Sequence, residues 1–180
     1  VLHACSGLPL HCRSHPPDRT FAMTIQIGDR IPEVNIKRIN AGIDTIDTST
    51  FFEGKKMVLF SVPGAFTPTC SEKHLPGFIE HFEAFRAKGV GVACMSVNDP
   101  FVMKAWAASQ NAPADMDILA DGNGDFAKAL GLEMDASAYG MGIRGKRFAL
   151  YIEDGVVKSL EVEAPGEFRV SSAEHMLSLL

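Results

Sequence analysis

Residues 56–78 read KMVLFSVPGAFTPTCSEKHLPGF. Lys56 to Val62 is a continuous apolar run ended by Pro63 and Gly64, the pattern of a strand covered on both faces. A loop rich in Pro, Gly and Thr follows, and Cys70 then stands where a helix begins. From Ser71 to Lys88, Phe78, Phe82 and Phe85 recur at spacings of four and three, which is one apolar stripe of a helix. Pro76 removes a backbone donor from that helix and predicts a kink there. Gly89 stops it.

Val90 to Val97 is a second buried run, so strand, helix and strand form a βαβ unit. Asn98-Asp99-Pro100 supplies a cap and a proline for the first helical position, and a helix over Phe101 to Gln110 carries Trp106. Asp117 to Ala120 reads as a short strand, and Asp125 to Leu130 as a short helix closed by Gly131. Arg147 to Glu153 and Val156 to Glu163 flank Asp154-Gly155, a two-residue hairpin signal. Ser172 caps a last helix, Ala173 to Leu180. Upstream, Gly28 to Pro32 is a turn, and Val34 to Ile39 and Ile43 to Asp47 are short strands around Asn40-Ala41-Gly42. A parallel βαβ core joined to an antiparallel hairpin is an α/β fold of thioredoxin-like type, with a central mixed sheet flanked by helices.

The chain has 180 residues, 46% of them hydrophobic, enough for one core without a metal or disulfide staple. Its formal net charge is -5 and no Lys/Arg run stands out, so no nucleic acid is expected as a partner. No apolar stretch reaches the roughly 18 residues of a membrane span. Residues 1–22, rich in His, Pro, Cys and Ser, have no usable period and lack the apolar core of a secretory signal. They read as a disordered extension, with Met23 the start of the folded domain 23–180, or alternatively as a weak organelle-targeting segment bearing Arg13 and Arg19. Of the four cysteines, Cys5 and Cys12 lie in this extension near His3, His11 and His15, at spacings that match no common zinc pattern, so no metal is expected. No C-x-x-C pair occurs, and free thiols in a reducing compartment, the cytoplasm, are the expectation.

The chemistry concentrates at Cys70. The first turn of a helix has unpaired N–H groups and the positive end of the dipole, which favour a thiolate over a thiol. Thr67, three residues earlier, is close enough for its hydroxyl to hydrogen-bond the sulfur. Pro63 and Pro68 stiffen the loop and shield it from water. Cys94, inside the second buried run, reads as a core thiol. His74 reads as either a polar tuner or a helix-surface residue.

Pro63-x-x-x-Thr67-x-x-Cys70 resembles the peroxiredoxin signature, and PGAFTPTCS continued by HLPGF resembles the peroxiredoxin-5-like branch. ACMSVND at 93–99 and KRFALYIEDGVV at 146–157 extend the likeness over residues 24–180. The resemblance implies a thiol peroxidase acting on hydrogen peroxide and alkyl hydroperoxides. Cys70 would be the peroxidatic cysteine, Thr67 the residue that orients the peroxide, Pro63 the shield and Arg147 the active-site cation, with Arg144 the competing choice. It implies no cofactor, a sulfenic acid on Cys70, and a homodimer paired near the active site. Some relatives carry a resolving cysteine before the last helix; here that region reads GEFRVSSAE, without one. A one-cysteine mechanism is therefore expected, with glutathione and glutaredoxin as reductant and thioredoxin as the alternative. A redox-sensing or chaperone partner on the same fold is the competing function. Thr69 stands where many relatives have Gly, which bears on the size of peroxide admitted.

Overall fold

The computed structural model describes residues 23–180. The expectations for residues 1–22, Cys5 and Cys12 among them, lie outside the described residues. The chain order is β1 (Asn35–Ile39), β2 (Ile43–Asp47), α1 (Thr48–Phe52) and β3 (Lys56–Ser61). A π-helical turn (Cys70–His74) then leads into α2 (Leu75–Glu80), α3 (Phe82–Ala87), β4 (Gly91–Ser96), α4 (Pro100–Ser109), β5 (Asp117–Ala120) and α5 (Asp125–Ala129). β6 (Glu133–Asp135), β7 (Ile143–Gly145), β8 (Phe148–Glu153), β9 (Val156–Val162) and α6 (Ala173–Ser178) complete it.

Seven strands form one sheet in the order β2-β1-β5-β4-β3-β8-β9, while β6 and β7 pair separately. β3, β4 and β5 are parallel neighbours and the remaining pairs in the sheet are antiparallel. This is the mixed, thioredoxin-like α/β sheet expected. Alternation along β3 divides the core in two, as the two-residue period of a strand demands. Val58 and Phe60 face a cluster built with Phe78, Phe85, Trp106 and Met176, from α2, α3, α4 and α6. Met57 and Leu59 face the opposite cluster, with Phe52 of α1 and Phe126 of α5.

The local signals work as their chemistry predicts. Asp99 accepts from the N–H groups of Phe101 and Val102 at 2.9 and 3.0 Å, with Pro100 opening α4. Ser172 accepts from His175 N–H at 3.2 Å to start α6. Asp154 and Gly155 take φ of 48° and 72°, the left-handed pair that closes a twisted hairpin.

The helix expected over Ser71 to Lys88 differs in detail. Its first turn is π-helical, with Leu75 N–H reaching back to the Cys70 carbonyl. Pro76, which has no N–H to give, sits where this pattern passes into α2. A second break falls at His81 (φ -94°, ψ 7°), which separates α2 from α3. There the imidazole Nδ1–H donates to the Gly77 carbonyl at 2.9 Å, competing with the backbone for one acceptor. Phe60 stacks on Phe78, ring centroids 4.0 Å apart, and so fixes α2 against the sheet beneath the turn. Phe60→Ala is expected to cost about 3–5 kcal/mol of unfolding free energy in chemical denaturation. A loss below about 1 kcal/mol would show that this contact does not hold the helix.

Candidate active site

β3 delivers the chain into the loop Pro63–Thr69, which three tethers shape. Val62 N–H donates to the Met95 carbonyl at 3.0 Å, continuing the β3–β4 pairing. Ala65 N–H donates at 3.0 Å to Oδ1 of Asn98, which also accepts from the Ser96 hydroxyl at 2.7 Å. The Thr67 hydroxyl donates to the Gly64 carbonyl at 2.8 Å. That last bond corrects the expectation for Thr67: its hydrogen goes to the backbone and not to sulfur. Its oxygen keeps lone pairs able to accept. Gly64 is a close-approach position, because a Cβ there would lie 3.0 Å from Met141 Cε and 3.2 Å from Thr67 Cγ2. Phe66 is forced to φ 63°, an outlier for a bulky residue, yet it is 57% exposed.

Cys70 opens the π-helical turn with its side chain fully buried. Arg147, just before β8, reaches it from across the sheet: Nη2 lies 3.4 Å from Sγ, while Nη1 donates to His74 Nδ1 at 2.9 Å. The other face of His74 is also used, its Nε2 lying 2.9 Å from the Ser171 carbonyl. Arginine can only donate and a carbonyl can only accept. His74 therefore carries its proton on Nε2 and leaves Nδ1 bare. Burial, and then the Arg147 charge, lower the His74 pKa to about 3, against the weaker pull of the Ser171 carbonyl. The ring is neutral at physiological pH and boxed by Phe60 and Phe168, each with its centroid 5.0 Å away.

The structure thus brings Pro63, Thr67, Cys70 and Arg147 together. Pro63, Thr67 and Arg147 line a cavity of about 550 Å³ whose walls include Met134, Met141, Val162 and Pro165. Arg144, the competing arginine, serves the backbone instead, donating to the carbonyls of Met141 at 2.8 Å and Val97 at 3.0 Å. Cys94 is buried on β4, and burial, with Cys70 nearby, raises its pKa well above the ordinary thiol value. His74 is the residue that sequence reasoning left undecided; its place one turn after Cys70 was the available signal. Trp106 Nε1–H donates to the Ser71 hydroxyl at 2.9 Å, which ties α4 to the same turn.

Residues 26–177 match the family model described as Redoxin. The chain is 49% identical over 168 residues to "Peroxiredoxin-2E-2, chloroplastic" of Oryza sativa subsp. japonica, covering 89% of this chain and 75% of that protein. It is 46% identical over 159 residues to "Peroxiredoxin-2B" of Arabidopsis thaliana, covering 87% and 98%. Among solved structures it resembles reduced Prx3 of Vibrio vulnificus in complex with hydrogen peroxide, at 48% identity and TM-score 0.82, covering 87% of this chain and 96% of that one.

The buried histidine links stability to pH. In the unfolded chain it takes up a proton near its ordinary 6.5, whereas in the folded protein it resists until about 3. The unfolded state binds more protons across that interval, so unfolding free energy falls as pH drops through it. His74→Asn, which keeps an acceptor for Arg147 but cannot titrate, is expected to show a shallower decline in denaturation curves from pH 7 to pH 4. Identical slopes for the two proteins would contradict a neutral buried His74.

Proposed function

The chain belongs to the peroxiredoxins, a family of thiol peroxidases, and on that premise we propose that Cys70 is the sulfur its peroxide substrate meets. The observation that carries this reading is the Arg147 guanidinium, 3.4 Å from Sγ and in the wall of a cavity that Pro63 and Thr67 also line. The sulfur attacks the distal oxygen of ROOH, the O–O bond breaks, and RO⁻ leaves and is protonated to alcohol or water. Cys70 is oxidised by two electrons to a sulfenic acid. Charge that develops on the leaving oxygen meets a fixed cation, the arrangement that stabilises a transition state without reorganisation. The Thr67 oxygen, its own hydrogen engaged by Gly64, accepts the peroxide O–H and sets its direction. Pro63 shields the sulfur. The apolar walls of the cavity suit an alkyl hydroperoxide as well as hydrogen peroxide.

We assign a one-cysteine mechanism. Among the described residues the cysteines are Cys70 and Cys94, both buried and unpaired. Cys94 sits on a strand paired on both sides, opposite Phe60 and Ile118, and burial holds its thiol protonated, which makes it a poor nucleophile toward the sulfenic acid. An external thiol, glutathione with glutaredoxin, then displaces water to form a mixed disulfide, and a second thiol releases Cys70 reduced. No cofactor takes part. Two exposed aromatics beside the cavity, Phe66 at 57% and Tyr139 at 81%, support a homodimer formed over this face. We place the protein in the cytoplasm; the chloroplastic name of the 49% identical relative favours an organelle as the second reading.

Consumption of hydrogen peroxide and of an alkyl hydroperoxide, driven by glutathione/glutaredoxin or by thioredoxin, tests the assignment. Wild type is expected to turn over with the glutathione system and Cys70→Ser to be inactive. Equal activity of the two removes the assignment. Higher turnover with thioredoxin reverses the choice of reductant. Arg147→Ala is expected to lose about 10²–10³-fold in rate while staying folded. A larger loss in Arg144→Ala would show the wrong arginine was chosen. Mass spectrometry of the oxidised protein mixed with glutathione should find the mixed disulfide on Cys70; a Cys70–Cys94 disulfide instead would overturn the one-cysteine mechanism.

A further inference from the structure

The segment between β9 and α6 contacts the active-site cation network. The Ser171 carbonyl accepts from His74 Nε2, and the Phe168 ring lies 5.9 Å from the Arg147 guanidinium carbon. A loop of this kind, with Gly166 at φ 77° and no regular element, needs something to hold it. Glu163 does so. Its Oε1 accepts three hydrogen bonds at once: from Arg169 N–H at 2.7 Å, Ser171 N–H at 2.8 Å and the Ser171 hydroxyl at 2.9 Å. Glu163 is 8% exposed and Ser171 is fully buried. Burial pushes the Glu163 carboxyl up, but the donors of Ser171 and Arg169 outweigh it and hold the group below the ordinary carboxylate value. Charge-assisted bonds to a carboxylate are about twice as strong as neutral ones, so three on one oxygen make a firm anchor.

The same residue grips Arg147 from the other side. Glu163 N–H donates to the Arg147 carbonyl at 3.0 Å, extending the β8–β9 pairing by one step. Backbone and side chain of one glutamate therefore fix both ends of a closed circuit: Arg147, His74, the Ser171 carbonyl, and Glu163 again. We propose that Glu163 is a positioning residue for the peroxidase reaction, clamping residues 169–171 so that the Ser171 carbonyl holds His74 in the tautomer that points Arg147 at the Cys70 sulfur. This rests on the peroxidatic reading of Cys70. Glu163 also borders the cavity, but its Oε1 is taken up by three donors of the loop, and the geometry routes its effect on the sulfur through His74 and Arg147. Misplacing a reacting group by about 1 Å is worth up to about 100-fold in rate, which sets the scale of the expected effect.

The test is a double-mutant cycle on single-turnover oxidation of Cys70 by hydrogen peroxide, quenched by thiol alkylation and read by mass spectrometry. Glu163→Ala is expected to slow oxidation by about 10- to 100-fold. Glu163→Gln, which keeps an accepting oxygen at the same reach, should recover to within about threefold of wild type. In an Arg147→Ala background, Glu163→Ala should cost less than about threefold, since the group it positions is gone. If Glu163→Ala does not fold, Glu163→Asp, which withdraws the oxygen by one methylene and keeps the charge, takes its place in the same cycle. A wild-type rate in folded Glu163→Ala, or in Glu163→Asp where it takes that variant's place, or an equal loss with and without Arg147, overturns the inference and leaves the peroxidase reading intact. A wild type whose Cys70 resists peroxide overturns both.

Discussion

One guanidinium joins the Cys70 sulfur to the rest of the fold. Arg147 gives one nitrogen to Cys70 Sγ and another to His74 Nδ1, and the second bond exists only while His74 is uncharged. A protonated imidazole would place two cations in contact in a dry, aromatic box. Burial therefore selects the neutral ring, and the Ser171 carbonyl selects which nitrogen keeps the proton. With both choices made, the arginine has one low-energy direction, and it points at the sulfur.

The participants come from three separate segments of the chain. Cys70 and His74 share the π-helical turn after β3, Arg147 precedes β8, and Ser171 lies past β9. β8 pairs with β3 on one side and β9 on the other, so the three segments leave neighbouring strands at one place. The π-helical turn also matters. Its wider winding precedes a proline that cannot donate, which relieves the backbone while Cys70 and His74 both meet the same arginine. A helix stabilised mainly by packing against Phe60 tolerates such an irregular start. The sulfur it carries is fully buried, beside the Arg147 guanidinium that forms part of the cavity wall.

Much of this was legible in the residues alone. The apolar runs at 56–62 and 90–97, the Asp99-Pro100 start and the Asp154-Gly155 turn placed the central strands, α4 and the hairpin within a residue or two. Pro63, Thr67, Cys70 and Arg147 were named from one motif and one likeness, and they do converge. What escaped the reading is non-local. α1, β6 and β7 are too short for a period to show. The break at His81 comes from a side chain taking a backbone acceptor, which no spacing announces. The Thr67 hydroxyl has two acceptors within sequence reach, and only the loop geometry decides between sulfur and the Gly64 carbonyl. His74 remained undecided because its partners, Arg147 and Ser171, are remote in sequence, and Glu163 carried no motif at all.

The neutrality and tautomer of His74 are open to direct observation by ¹⁵N NMR of histidine-labelled protein. The account predicts a proton on Nε2, a bare accepting Nδ1, and no titration of this ring between pH 8 and pH 5. A His74 resonance that titrates in that range, or a proton found on Nδ1, would mean that Arg147 is not held as described here, and the cation at the sulfur would lose its support.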